Sequence, residues 1–270
     1  MTPAERRLTM AAPQPAQGCV STGATARGLR LHIRRRAEPG STAPAWVLLH
    51  GLAVSHRYLM PTAAALPGRV YVPDLPGFGL SEKPARVLTT EQHAAVLAAW
   101  LDAEGLAGVT LLGNSYGCQV AVELAIARPD LAAALVLVGP TVDPAAPTSA
   151  GTLRRWAHDL LREDPRQLPM ALTDFREAGP RRVLRTLRYA VGQRFERRLP
   201  LVAAPVLILR GQFDPIAPRD WTTRAAALAR AGVSGDVAGA AHNAVTTAGA
   251  RVAALAVAFT ATPSGLSSQR

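Results

Sequence analysis

Short, almost unbroken apolar runs alternate along the chain with longer stretches of helical length. WVLLH, VTLLG, LVLVG and PVLIL do not alternate polar with apolar, so they read as strands buried on both faces, as in a parallel sheet. Strands are predicted at Leu29–Arg34, Trp46–His50, Arg69–Pro73, Val109–Gly113, Leu135–Gly139 and Pro205–Arg210, with Ser234–Val237 as a candidate last strand. Thr90–Ala103, Ser115–Ala127, Trp221–Ala231 and Ala248–Phe259 have the length and composition of helices. Strands and helices in alternation predict an α/β fold, a mostly parallel sheet flanked by helices.

One stretch interrupts the alternation. From Thr141 to Leu199 there is no strand-like run, only arginine-rich amphipathic segments punctuated by Pro and Gly. A helical insertion over the sheet accounts for it. The expected organisation is a disordered leader at 1–23, a core formed by 24–140 and 200–261, a helical insertion at 141–199 and a flexible tail at 262–270. Met10 is a second candidate start within the leader.

Composition narrows the class. A chain of 270 residues supports a substantial core, and no apolar run approaches the roughly 18 residues of a membrane span. Arg6, Arg7, Pro13 and Pro15 break up the N-terminus, so it does not read as a secretory signal. Cys19 and Cys118 make neither a disulfide framework nor a metal-ligand spacing, and no metal or cofactor is expected. The net charge of +11 invites a nucleic-acid partner, but Lys83 is the only lysine and no binding motif accompanies the arginines. The expectation is a cytoplasmic protein acting on a small molecule, without nucleic-acid or membrane partners; the oligomeric state is open.

The chemistry concentrates at Gly113-Asn114-Ser115-Tyr116-Gly117, a G-x-S-x-G pattern. Such a pattern is weak alone, but here it follows the strand-like VTLLG and opens the helix-like CQVAVELAIA. A strand–turn–helix setting holds a serine in strained geometry with its hydroxyl projecting, provided that the flanking positions are small. A hydroxyl needs a base, and the base needs an acid to orient it. His242, in GAAHNA, lies between the last candidate strand and the last helix. Asp214 follows PVLIL, and Asp143 follows LVLVG; either could reach the histidine, with Asp214 favoured. The loop His50-Gly51-Leu52 follows WVLLH, so the backbone N–H groups of Leu52 and Tyr116 are the expected oxyanion donors. His50 is expected mainly to hydrogen-bond surrounding loops, with contact to substrate as an alternative.

HGL, DLPGFGLSEKP (Asp74–Pro84), GNSYG, RGQFDPIAP and GAAHN together resemble the α/β-hydrolase superfamily, in its usual order and over residues 28–260. The resemblance implies the α/β-hydrolase fold and a Ser115–Asp214–His242 triad in that chain order. It also implies that 141–199 is a cap over the substrate pocket, with Trp156, Phe175 and Tyr189 as candidate lining residues beside His50 and Gly51. Tyr116 and Cys118 replace the small or Met residues often found around this elbow. The segment Asn243–Thr247 lacks the proline-containing pattern of many relatives. The implied reaction is two-step acyl transfer on a small carboxylic ester. One alternative is carbon–carbon bond hydrolysis of a β-diketone-like compound, whose carboxylate Arg154, Arg155, Arg181, Arg182 or Arg185 would bind. Another is a small-molecule receptor with vestigial turnover. A serine at the elbow argues against the haloalkane and epoxide branches, which use aspartate there.

Overall fold

The computed structural model describes residues 18–38, 44–145 and 148–262. Its centre is an eight-stranded sheet: β1 (Val20–Ala26), β2 (Leu29–Arg36), β3 (Trp46–Leu49), β4 (Val70–Pro73), β5 (Val109–Asn114), β6 (Ala132–Val138), β7 (Val206–Gly211) and β8 (Gly232–Val237). The order across the sheet is β1-β2-β4-β3-β5-β6-β7-β8. The first three in that order pair antiparallel and the other contacts are parallel.

The helices are α1 (His56–Ala65), α2 (Thr90–Ala103), α3 (Tyr116–Ala127), α4 (Ser149–Leu160), α5 (Leu168–Ala178), α6 (Pro180–Gly192), α7 (Phe195–Arg198), α8 (Arg219–Leu228), α9 (Ala244–Thr247) and α10 (Gly249–Ala261). The apolar runs are continuous because both sheet faces are covered. Leu111, Leu135, Leu137, Val206 and Ile208 pack with Leu97 and Trp100 of α2, Val120 and Leu124 of α3 and Trp221 of α8. Their neighbours Leu112, Val136, Val138, Leu207 and Leu209 face the other way, onto Tyr58 and Leu59 of α1 and Val252 and Ala256 of α10. Each such side chain, fully buried, is worth about 1.5–3 kcal/mol of transfer free energy. Among the described residues no helix is long and apolar enough to cross a membrane.

Two expectations need correction, and one helix was not anticipated. Residues 20–23, assigned above to a disordered leader, are the first half of β1, with Val20 opposite Arg35 and Gly23 opposite His32. This edge strand reads VSTGATA, too polar to show the apolar pattern that marks its partners. Residues 1–17, the rest of that leader, lie outside the described residues, as does the tail beyond Thr262. The helix expected to run to Ala231 stops at Leu228, because Gly232 must begin β8 hard against it; a Cβ there would lie 2.1 Å from Ala226 O. Helix α1, which carries Pro61 inside it, had no counterpart in the sequence reading.

Helices α4 to α7 lie between β6 and β7 and are tied to the core through charged and amide groups. Arg57 of α1 pairs with Asp174 and, at 3.0 Å, with Glu177, both on α5. Glu123 of α3 accepts from Arg198 at 2.6 and 2.7 Å and from Gln193 at 2.8 Å. Gln119 donates to Ala190 O at 2.9 Å.

Candidate active site

Ser115 occupies the turn between β5 and α3 with φ 54° and ψ −117°. A non-glycine residue is uncommon there, and the surroundings must hold it in place. Ser115 N–H donates to Val138 O at 3.0 Å, while Asn114 Nδ2 donates to the same carbonyl. The flanking glycines leave no room for a side chain. A Cβ on Gly113 would lie 2.5 Å from Gly117 O, and one on Gly117 would lie 2.1 Å from Leu49 O.

His242 and Asp214 meet at Gly139, one residue after the Val138 whose carbonyl accepts from Ser115 N–H. His242 Nδ1 lies 2.9 Å from Asp214 Oδ2, and Asp214 Oδ1 accepts from the N–H groups of Ile216 and Ala217 at 2.8 and 3.0 Å. The backbone bonds fix the carboxylate, so the imidazole is oriented with Nδ1 toward the acid. Nε2 is buried and has no hydrogen-bond partner among the described residues. Burial works against ionisation of Asp214, but the His242 charge and hydrogen bond outweigh it and hold the carboxyl below its ordinary range. Asp143 is engaged elsewhere, with Arg155 at 2.8 Å and Arg224 at 3.2 Å. Of the two acids weighed from sequence, Asp214 is the one against the histidine.

The loop after β3 comes up on the other side of Ser115. An added Cβ on Gly51 would stand 3.2 Å from Ser115 Cβ. Gly51 N–H is committed to Tyr58 Oη at 2.8 Å, and Tyr58 in turn donates to Asn114 Oδ1. His50 accepts from Leu75 N–H through Nε2 at 2.9 Å, so Nδ1 donates to Gly51 O at 2.8 Å. With both nitrogens bound to backbone, His50 braces the loop rather than facing the cavity. Leu52 does reach it. Tyr116 is the first residue of α3, where the backbone N–H has no carbonyl one turn back.

A narrow cavity over Ser115 is lined by Leu52, Tyr116, Thr141, Val142, Trp156, Leu187, Ala190 and Val191. Of the pocket residues expected from sequence, only Trp156 lines it. His50 and Gly51 support it from behind, Phe175 is exposed on α5, and Tyr189 is half-buried outside the lining. Helix α6 presents Leu187, Ala190 and Val191 instead.

A scan against protein families matches residues 44–177 to the alpha/beta hydrolase fold. The chain belongs to the α/β-hydrolase superfamily. The enol-lactonase from Burkholderia xenovorans LB400 superposes with a TM-score of 0.77 at 21% identity, covering 89% of this chain and all of that one. Lipase LipV of Mycobacterium tuberculosis is 41% identical over 114 residues, 42% of each chain. A haloalkane dehalogenase of Mycobacterium marinum is 33% identical over 137 residues, 48% of this chain and 46% of that one. The alignment thus spans less than half the length of either curated relative.

Two features of this α/β-hydrolase site escaped the sequence reading. Gly139, at φ 59°, passes directly beneath the histidine–acid pair; a Cβ there would lie 2.9 Å from His242 Nδ1 and 3.1 Å from Asp214 Oδ2. Its signal was the glycine ending LVLVG, taken only as a strand end. The second feature is strain at Ala53 and Val142, beyond that expected of Ser115. Four described non-glycine residues have positive φ, and three of them, Ala53, Ser115 and Val142, lie in or next to the cavity wall. Strained backbone concentrates where surrounding structure over-determines it, as at ligand sites.

Carboxylates at the end of α4 also touch the histidine loop. Asp159 Oδ1 accepts from His242 N–H at 3.4 Å, and Glu163 Oε1 accepts from Asn243 N–H at 2.6 Å. Burial alone would lower the His242 pKa, but Asp214 outweighs it, with Asp159 and Glu163 adding to the effect, and raises the value to about 9. Burial, aided by the neighbouring carboxylates, pushes Asp159 itself up to about 7, so it is ionised where His242 titrates. Asp159→Asn therefore removes a negative charge over that range and is expected to lower the His242 midpoint by on the order of one pH unit. Titration of the His242 ring by ¹H–¹⁵N NMR checks this; an unchanged or higher midpoint would count against the coupling.

Proposed function

We propose that the protein is a serine hydrolase that cleaves small esters with an apolar acyl group through an acyl-enzyme. The observation that carries the reading is the His242–Asp214 pair, with Nε2 left unpartnered among the described residues, together with a serine held at positive φ in the turn between β5 and α3. His242 takes the Ser115 proton through Nε2 as the serine oxygen attacks the carbonyl. The oxyanion is held by the N–H groups of Leu52 and Tyr116, each such donor being worth on the order of 3 kcal/mol in the transition state. His242 then protonates the leaving alcohol, and water repeats the sequence to release the acid.

The lining favours an apolar acyl chain, since Leu52, Val142, Trp156, Leu187, Ala190 and Val191 offer no charge. None of the arginines suggested for a substrate carboxylate lines the cavity. Arg155 is paired with Asp143, Arg182 donates to Pro84 O at 2.8 Å, and Arg154, Arg181 and Arg185 are exposed. That weighs against the carbon–carbon hydrolase alternative. A serine at the elbow likewise separates this chain from dehalogenase chemistry, which needs a carboxylate nucleophile.

Fluorophosphonate labelling read by peptide mass spectrometry tests the assignment. The expected outcome is a single adduct on Ser115. Folded protein that stays unlabelled would overturn the hydrolase reading and favour a receptor on the same fold.

A further inference from the structure

Away from Ser115, three side chains from separate elements converge on one point. They are His32 of β2, His56 at the start of α1 and Asp74 in the turn after β4. His32 Nδ1 lies 2.9 Å from Asp74 Oδ2; His56 Nδ1 lies 2.8 Å from the same oxygen and 3.0 Å from Oδ1. The three possible donor atoms all lie within 4.8 Å of one another.

The carboxylate is fixed from behind. The backbone N–H groups of His56 and Leu80 donate to it at 2.7 and 3.0 Å. The loop wraps so closely that a Cβ on Gly79 would lie 2.4 Å from the Asp74 carboxyl. Those contacts account for Asp74 as a structural group, and one imidazole would complete it. Two imidazoles aimed at a single carboxylate oxygen form a two-nitrogen, one-oxygen donor set of the kind that selects borderline divalent ions.

We propose that His32, His56 and Asp74 bind a divalent transition-metal ion, Zn²⁺ foremost, with solvent completing the coordination. An open groove lined by Ser21, Leu80, Ser81 and Lys83 reaches His32, the outermost of the three. Zinc holds nitrogen and carboxylate oxygen at about 2.0–2.2 Å, so tetrahedral donors stand roughly 3.3 Å apart. The nitrogen–oxygen pairs here need to open by only a few tenths of an ångström. Protons balance without an outside partner: each neutral ring exchanges its Nδ1 proton for one on Nε2. In His32 that nitrogen faces Ser21 Oγ at 3.1 Å, a ready acceptor.

The other buried histidines do not compete. His50 and His93 each have both ring nitrogens engaged, and His242 is held by Asp214. The site does not touch Ser115, so it stands or falls independently of the proposed hydrolase activity. Its spacing, 32, 56 and 74, matches no sequence motif, because the three residues meet only through the β2–β4 pairing and the start of α1.

The test uses the full chain after chelator treatment. Titration with Co²⁺ is expected to give visible d–d bands saturating at one equivalent, displaced by one equivalent of Zn²⁺. His32→Ala, which keeps the His56–Asp74 contact and the backbone ladder, should weaken binding by more than about 100-fold. Bands of equal strength in that variant, or no saturable binding in the wild type, would overturn the proposal. Should the variant misfold, EPR of the Cu²⁺-loaded wild type decides the matter. Superhyperfine coupling to two imidazole nitrogens supports the site, and coupling to one or none overturns it.

Discussion

Replacing Ser115 with alanine is expected to lower kcat/KM on a short-chain nitrophenyl ester by about 10⁴-fold or more, leaving only what the oxyanion donors and binding supply. The fold should survive, because Ser115 Oγ is not what holds the turn. The turn is held by Ser115 N–H on Val138 O, by Cys118 N–H on Ser115 O at 3.0 Å, and by the two flanking glycines. Alanine at φ 54° is no less strained than serine, so the urea unfolding midpoint should stay close to that of the wild type. Retention of more than a few per cent of activity would remove Ser115 from the mechanism. A collapse of stability would instead show that the hydroxyl is structural.

The parts of this site legible in the sequence are those where local geometry dictates local composition. The turn at Ser115 admits only glycine at 113 and 117, since a Cβ at either would overlap backbone atoms; five consecutive residues therefore announce it. The double-faced strands announced themselves for a similar reason: each position of WVLL or VLILRG is buried, whichever way it points. Legibility fails where a residue's role depends on what arrives from elsewhere. Tyr189 and Val191 look equally suited to a cavity wall, and the rotation of α6 decides between them. Phe175 is an aromatic in the right segment, on the outward side of α5. The edge strand β1 has no apolar face to show. His50, by contrast, was legible as a brace for its surrounding loops, and both its nitrogens are bound to backbone.

The supporting acid is the case where sequence order left two answers, and it yields the second large effect. Asp143 and Asp214 both follow strand ends that neighbour each other in the sheet, β6 and β7. Asp214→Asn is expected to cut kcat by about 10⁴-fold, because an amide cannot reproduce the carboxylate's charge or reliably hold the Nδ1–H tautomer that leaves Nε2 free as a base. KM should move little, since Asp214 lies behind His242 and outside the cavity lining. The same change should pull the His242 midpoint down from about 9, because Asp214 is the largest influence raising it. Asp143→Asn should leave kcat within about tenfold, since no bond to His242 is lost. Its cost falls on stability, roughly 1–3 kcal/mol, because Arg155 and Arg224 lose a charged acceptor. The two variants thus separate in opposite directions, one in turnover with the fold intact and the other in unfolding with turnover largely kept. If the pattern were reversed, the acid would have to come from β6 during catalysis, and the 2.9 Å contact between His242 and Asp214 would belong to a resting arrangement.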